Sequence, residues 1–148
     1  MNIEMVSLTE SDCDQDRLIS LADFSLNSMG IHPDSELSIS IVDEEEMSSL
    51  HMQWMDEPGP TDVLSFPMDE MKPYSATSGP GILGDIVLCP EFAAQQARTA
   101  GHSLQEELEL LTVHGVLHLL GFDHRESDER EKMFAKQDEL LVGWRSKK

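Results

Sequence analysis

The chain has 148 residues and a net charge of -19, from 29 acidic against 10 basic side chains, so it has room for one domain but not the surface of a general nucleic-acid binder, which needs Lys and Arg for phosphates. Its two cysteines, Cys13 and Cys89, match neither a Cys-x-x-Cys clip nor a disulfide framework, which excludes a disulfide scaffold and suits a reducing compartment. The start, MNIEMVSLTE, has no basic region followed by an apolar block, and no run approaches the roughly 18 apolar residues of a membrane span, so a cytoplasmic protein with no membrane partner is expected.

Along the chain, NIEMVSL alternates as a first strand. DRLISLADFSLNSMG follows with Leu18, Leu21, Phe24 and Leu26 near helical spacing and Gly30 as the stop. ELSISIVD places Leu37, Ile39 and Ile41 on one face of a second strand. DEEE at 43–46 opens the next helix, where acidic side chains suit the positive end of the helix dipole, and Met47, Leu50, His51 and Trp54 share a face. DVLSFP is a third strand. The Pro-, Gly- and Ser-rich PMDEMKPYSATSGPG that follows is long for a loop in a compact domain, which marks it as functional or mobile. GDIVLCP is a fourth strand, and Pro90 starts the helix EFAAQQARTA, which Gly101 ends. Ser103 and Glu106 form a capping box ahead of LQEELELLTVHGVLHLLG. Strands interleaved with helices and no linker predict a single compact α/β domain over 1–148, a small mixed sheet of about four strands packed with helices.

The stretch HGVLHLLGFDH, 114–124, holds three of the six histidines. His114 and His118, four apart on a helix, project from one face about 5–6 Å apart, and two imidazoles so placed can meet on one ion at about 2.0–2.1 Å. Gly121 is placed to take a left-handed conformation, end the helix and swing His124 toward the same ion. The surrounding leucines and valines make this helix apolar nearly all round, hence buried. The alternative is that backbone carbonyls satisfy each imidazole separately. Three neutral nitrogens without a thiolate suit a catalytic Zn²⁺ site with a free fourth position, which points to hydrolysis.

The residue after the first histidine narrows the substrate. Zinc peptidases carry Glu there as general base; here it is Gly115, which favours a phosphodiester, whose charged oxygens can ligate the metal. Asp123 is open to three roles: base, carboxylate orienting a histidine, or turn residue. Asp85, at a strand start, and His102, at a helix junction, are candidates to face the cleft or to serve structure alone. Charge is uneven: up to His124 there are 3 basic and 23 acidic residues, and from Arg125 onward 7 and 6. Only the C-terminal segment can present a basic surface.

HGVLHLLGFDH resembles the H-G-x-L-H-L-x-G-[YF]-D-H signature of the YbeY family of bacterial endoribonucleases. PTDVLSFP at 60–67, GDIVLCP at 84–90 and GHSLQEEL at 101–108 agree with it in order. The resemblance implies a metallohydrolase fold with a zinc-metalloprotease-like helix, and one Zn²⁺ on His114, His118 and His124. It further implies cleavage of single-stranded RNA, maturation of the 16S rRNA 3′ end and ribosome quality control, with ribosomal proteins and a ribosome-assembly GTPase as partners. Where the family commonly has Asn and, four residues later, Arg, this chain has His51 and Met55. Either Arg98 or Arg125 then supplies the phosphate clamp, since methionine cannot, or catalysis is weaker. Two other readings stand beside the nuclease. One is a ribosome-assembly binding protein with a structural zinc, suggested by Met55 and the acidic surface; the other is a metallopeptidase, disfavoured by Gly115.

Overall fold

The computed structural model describes residues 1–147. Its elements run in the order β1 (Asn2–Ser7), α1 (Gln15–Ser28), β2 (Glu36–Ile41), α2 (Glu44–Met55), β3 (Val63–Pro67), a 3₁₀ turn (Ala76–Ser78), β4 (Ile82–Leu88), α3 (Pro90–Ala100), α4 (Leu104–Leu119) and α5 (Ser127–Arg145). The four strands form one mixed sheet in the order β1-β2-β4-β3. β1, β2 and β4 are parallel, and β3 pairs antiparallel with β4 at the edge. Among the described residues no helix is long and apolar enough to cross a membrane.

Local chemistry sets the boundaries. Asp14 caps α1 by accepting the Arg17 amide at 3.2 Å. Asp43 caps α2 by accepting the Glu46 amide at 2.8 Å, so Glu44, Glu45 and Glu46 occupy the first turn, where the helix dipole favours negative charge. Pro90 begins α3 and Gly101 ends it in the left-handed region at φ 77°. The capping box at Ser103 and Glu106 forms with both of its bonds. In β4, Gly84 lies at φ +135°, where a β-carbon would come within 2.1 Å of the Phe66 carbonyl, so only glycine lets β3 pair here.

The strand faces divide as their alternation predicts. Leu37, Ile39, Ile86 and Leu88 join Leu18, Leu21 and Leu26 of α1 and the apolar positions of α4 in the main core. Each such side chain, fully buried, contributes about 1.5–3 kcal/mol. On the opposite face Val42, Met47, Leu64, Val87 and Cys89 form a smaller cluster with α2. α4 is the hub, in contact with α1, α3, α5, β3 and β4.

Three expectations change. The face of α2 is only partly covered: Met47 is buried, whereas Trp54 is 62% exposed and packs edge-on against Phe66 at 6.1 Å. The long loop after β3 is tied down: Met68 and Asp69 donate to the Leu83 and Ile82 carbonyls, Asp69 accepts the Ile82 amide at 2.7 Å, and Tyr74 donates to the Met29 carbonyl at 2.7 Å. Its backbone groups find partners on β4 and at the end of α1, which is why so long a connection holds one path. Finally, α4 is not apolar all round, because it buries Glu107 and Glu109.

Candidate metal centre

His114 and His118 occupy the last two turns of α4. Beyond them, Gly121 at φ +94° turns the chain back, and the Gly121 and Phe122 amides donate to the His118 and Leu117 carbonyls. This reversal carries His124 to the other two rings. One ligand atom from each of the three lies within 4.8 Å of the others, and ring centroids are 4.7 Å (His114–His118), 5.4 Å (His114–His124) and 5.2 Å (His118–His124) apart. The Nε2 atoms of His114 and His118 stand 3.1 Å apart. Two nitrogens bound tetrahedrally to one zinc at about 2.0–2.1 Å would be about 3.3 Å apart, so the pair already has close to the required bite.

The electrostatics suit neutral ligands. Burial pushes the His118 imidazole down to about 4, and the charges that His114 and His124 would carry push it the same way. His114 is lowered as well, chiefly by burial and against the support of a hydrogen bond to the Gln137 amide oxygen. Both rings are therefore uncharged at neutral pH, each with one nitrogen lone pair to offer. The Gln137 bond runs between Oε1 and His114 Nδ1 at 3.0 Å, from the middle of α5.

The three rings line an open cleft of about 590 Å³ with Met55, Asp62 and Ser65 on one side and Asp123 on the other. Asp62 Oδ1 accepts the Val63 amide at 2.8 Å and the Thr61 hydroxyl at 3.2 Å. Asp123 uses both oxygens locally: Oδ1 accepts the His124 amide at 2.7 Å, and Oδ2 pairs with Arg125 Nε at 3.3 Å. That pattern is a turn clasp that sets the approach of His124. Ser65 Oγ donates to the Gly115 carbonyl at 3.4 Å and ties β3 to α4.

Gly115 faces the sheet, not the cleft. A β-carbon there would lie 3.0–3.2 Å from the Ile86 side chain, so the position is small because α4 presses on β4, and a glutamate would meet the core. The absence of a peptidase-type base stands, with packing as its reason.

The remaining sequence candidates lie elsewhere. Asp85 neighbours Ile86 along β4, and strand alternation turns it to the sheet face away from α4, opposite Ser38 and Phe66 in register. His102 binds Glu107 at the other end of α4. Arg98 is exposed in the last turn of α3 and is not part of the cleft wall. Arg125 does not line the cleft; 85% exposed, it pairs with Asp123, which does. Of the two departures, Met55 lines the cleft, while His51 bonds the Gly59 carbonyl and Glu57, both at 3.0 Å, to fold the turn into β3. Sequence reasoning missed Asp62, which was legible only as part of PTDVLSFP, and Gln137, whose single signal was a polar residue in an otherwise apolar helical stripe.

Fold and site define a mixed α/β protein with an open cleft floored by three histidines of the kind that can hold a metal ion. The family model for endoribonuclease YbeY matches residues 5–145. The chain is 55% identical over 147 residues to the endoribonuclease YbeY of Thermobifida fusca, covering 98% of this chain and 95% of that protein. It is 57% identical to that of Acidothermus cellulolyticus (99% and 93% covered) and 58% identical to that of Beutenbergia cavernae (96% of each). The solution structure of TM1509 from Thermotoga maritima superposes with a TM-score of 0.60 at 28% identity, covering 97% of this chain and 92% of that one. The chain belongs to the YbeY family.

Proposed function

We propose that the chain is a zinc-dependent endoribonuclease that cuts single-stranded RNA in the cytoplasm, acting in maturation of the 16S rRNA 3′ end and in ribosome quality control. The observation that carries this reading is the convergence of three imidazoles on one point at the floor of an open cleft; the family's name supports the substrate. His114, His118 and His124 would hold the Zn²⁺. When bound there, the ion supplies Lewis acidity, lowering the pKa of coordinated water toward about 7 and offsetting charge on a phosphoryl oxygen.

The chain's own side chains supply the rest. Among the described residues nothing bonds Asp62 Oδ2, which leaves Asp62 an oxygen open to receive a proton, whereas both oxygens of Asp123 are engaged. Asp62→Asn is therefore expected to lower kcat by about 10²–10⁴-fold with zinc content unchanged, and a comparable loss in Asp123→Asn alone would reverse the assignment. Among the described residues the walls carry Met55 and no lysine or arginine, so Arg125, paired with Asp123 of the wall, is the candidate for a phosphate contact. Ribosomal proteins and a ribosome-assembly GTPase are the proposed partners, and they would bring the basic surface this acidic chain lacks.

The same poverty of cationic side chains favours one other reading, a ribosome-assembly binding protein whose zinc is structural. Stripping the metal with a chelator, then recording both melting temperature and cleavage of single-stranded and duplex RNA, separates the two. The nuclease reading expects cleavage to vanish while most of the fold survives, and to return with zinc. Turnover that survives complete metal removal would overturn it. A collapse of the melting temperature, with no turnover by the zinc-replete protein, would favour the binding protein.

A further inference from the structure

The last helix takes no part in the histidine motif, yet it reaches the site. The buried side chains of α5 are Met133, Gln137, Leu140, Leu141 and Trp144, an i, i+4, i+7, i+8, i+11 stripe in which Gln137 is the single polar member. The residue is 7% exposed. Burying an amide without a partner costs about 1–3 kcal/mol, so an apolar residue would suit this position better if packing were its only role. The partner is His114: Gln137 Oε1 lies 3.0 Å from His114 Nδ1. One turn earlier on the same helix, the Phe134 ring flanks the His114 ring at a centroid distance of 6.4 Å.

Neutral imidazole carries one proton on one of two nitrogens, and only the bare nitrogen can bind a metal. An amide oxygen held at Nδ1 selects the form with its proton there, because Nδ1–H then donates to Oε1. Nε2 is left bare, facing His118 Nε2 at 3.1 Å. The opposite form would set an Nε2–H in the position a cation needs, and would leave the amide oxygen against a lone pair. We infer that Gln137 is a positioning residue for the metal centre, fixing the His114 ring and its proton so that Nε2 is presented to the ion, and that α5 thereby belongs to the functional site. This inference rests on the metal-binding reading above. Partners of this kind, acting through the far nitrogen of a ligating histidine, affect metal affinity by about 10–100-fold.

The test uses the full chain and zinc alone as probe. In Gln137→Leu, which suits the apolar stripe, zinc affinity measured by competition with a chromophoric chelator should fall about 10–100-fold, whereas Gln137→Glu, which keeps an acceptor at Nδ1, should stay within a few-fold of the parent. Two-bond ¹H–¹⁵N spectra of metal-free, ¹⁵N-histidine-labelled protein should show His114 protonated at Nδ1 in the parent and in Gln137→Glu, with the Nε2–H form rising in Gln137→Leu. Should Gln137→Leu fail to fold, Gln137→Asn withdraws the acceptor while keeping the amide and takes its place. Unchanged zinc affinity in a folded Gln137→Leu or Gln137→Asn would overturn the proposal and leave the metal site standing. So would a parent His114 protonated at Nε2. If the parent takes up no zinc, the metal-binding reading fails, and the spectra alone judge what Gln137 does to His114.

Discussion

The two ends of α4 bury polar groups in opposite ways. Near its start, Glu109 is 2% exposed and fully matched: Arg17 Nε reaches it at 3.0 Å, Arg145 at 3.3 Å and Gln105 Nε2 at 3.1 Å, while His102 binds Glu107. Arg17 also lies over the Trp144 ring at 4.6 Å. Near its end, His114 and His118 turn their Nε2 atoms toward each other at 3.1 Å, and among the described residues no lysine or arginine pairs with either. Both clusters sit on one helix in one core, but the first holds its own counter-charges and the second lacks a cation. Buried charge satisfied within the chain is architecture; half-buried ring nitrogens that converge with no counter-charge from the chain are of the kind that can take a ligand.

That contrast can be broken at either end. The largest effect is expected from His118→Ala, which should abolish zinc uptake and RNA cleavage together while the protein still melts cooperatively; metal analysis beside a cleavage assay checks it. Acid acts next. The unfolded His118 titrates near 6.5 and the folded one near 4, so between these values the unfolded state binds more protons. In the metal-free protein, the contribution of His118 to stability should then be intact above about pH 6.5, fall as acid is added and be lost in full below about pH 4. The loss is roughly 2–3 kcal/mol after allowing for partial exposure. Urea midpoints across this range, compared with His118→Leu, which should flatten the slope, measure it.

At the other end, Glu109→Gln should lower stability by about 1–3 kcal/mol, since both arginines are half exposed and regain water. Specific activity of the folded fraction should not change; a loss of zinc affinity would mean that the two clusters are coupled. The smallest effect is expected from Met55→Arg. A guanidinium in the cleft wall should lower KM for RNA about tenfold, worth about 1.4 kcal/mol, and a salt titration should show the added phosphate contact as a steeper slope.

Much of this was legible because it is local. The capping box at Ser103, the stops at Gly101 and Gly121 and the spacing of His114, His118 and His124 are rules of chain geometry, and they placed α3, α4 and the turn after it. What stayed hidden depends on the tertiary arrangement. Gln137 reads only as a polar residue in an apolar helical stripe until α5 docks beside His114. Gly115 reads as a missing base until Ile86 is seen against it. Glu109 looks like an interruption in an apolar run until Arg17 and Arg145 arrive from the two ends of the chain. Asp85 and His102 were drawn toward the site by residue type alone; strand alternation and a carboxylate partner place them elsewhere.

Zinc-edge X-ray absorption on the zinc-loaded protein tests the central claim most directly. We expect three imidazole nitrogens and one oxygen at about 2.0–2.1 Å with no sulfur, and one imidazole fewer in His124→Ala. A sulfur scatterer, or a spectrum unchanged by removing His124, would contradict a centre built from these three rings.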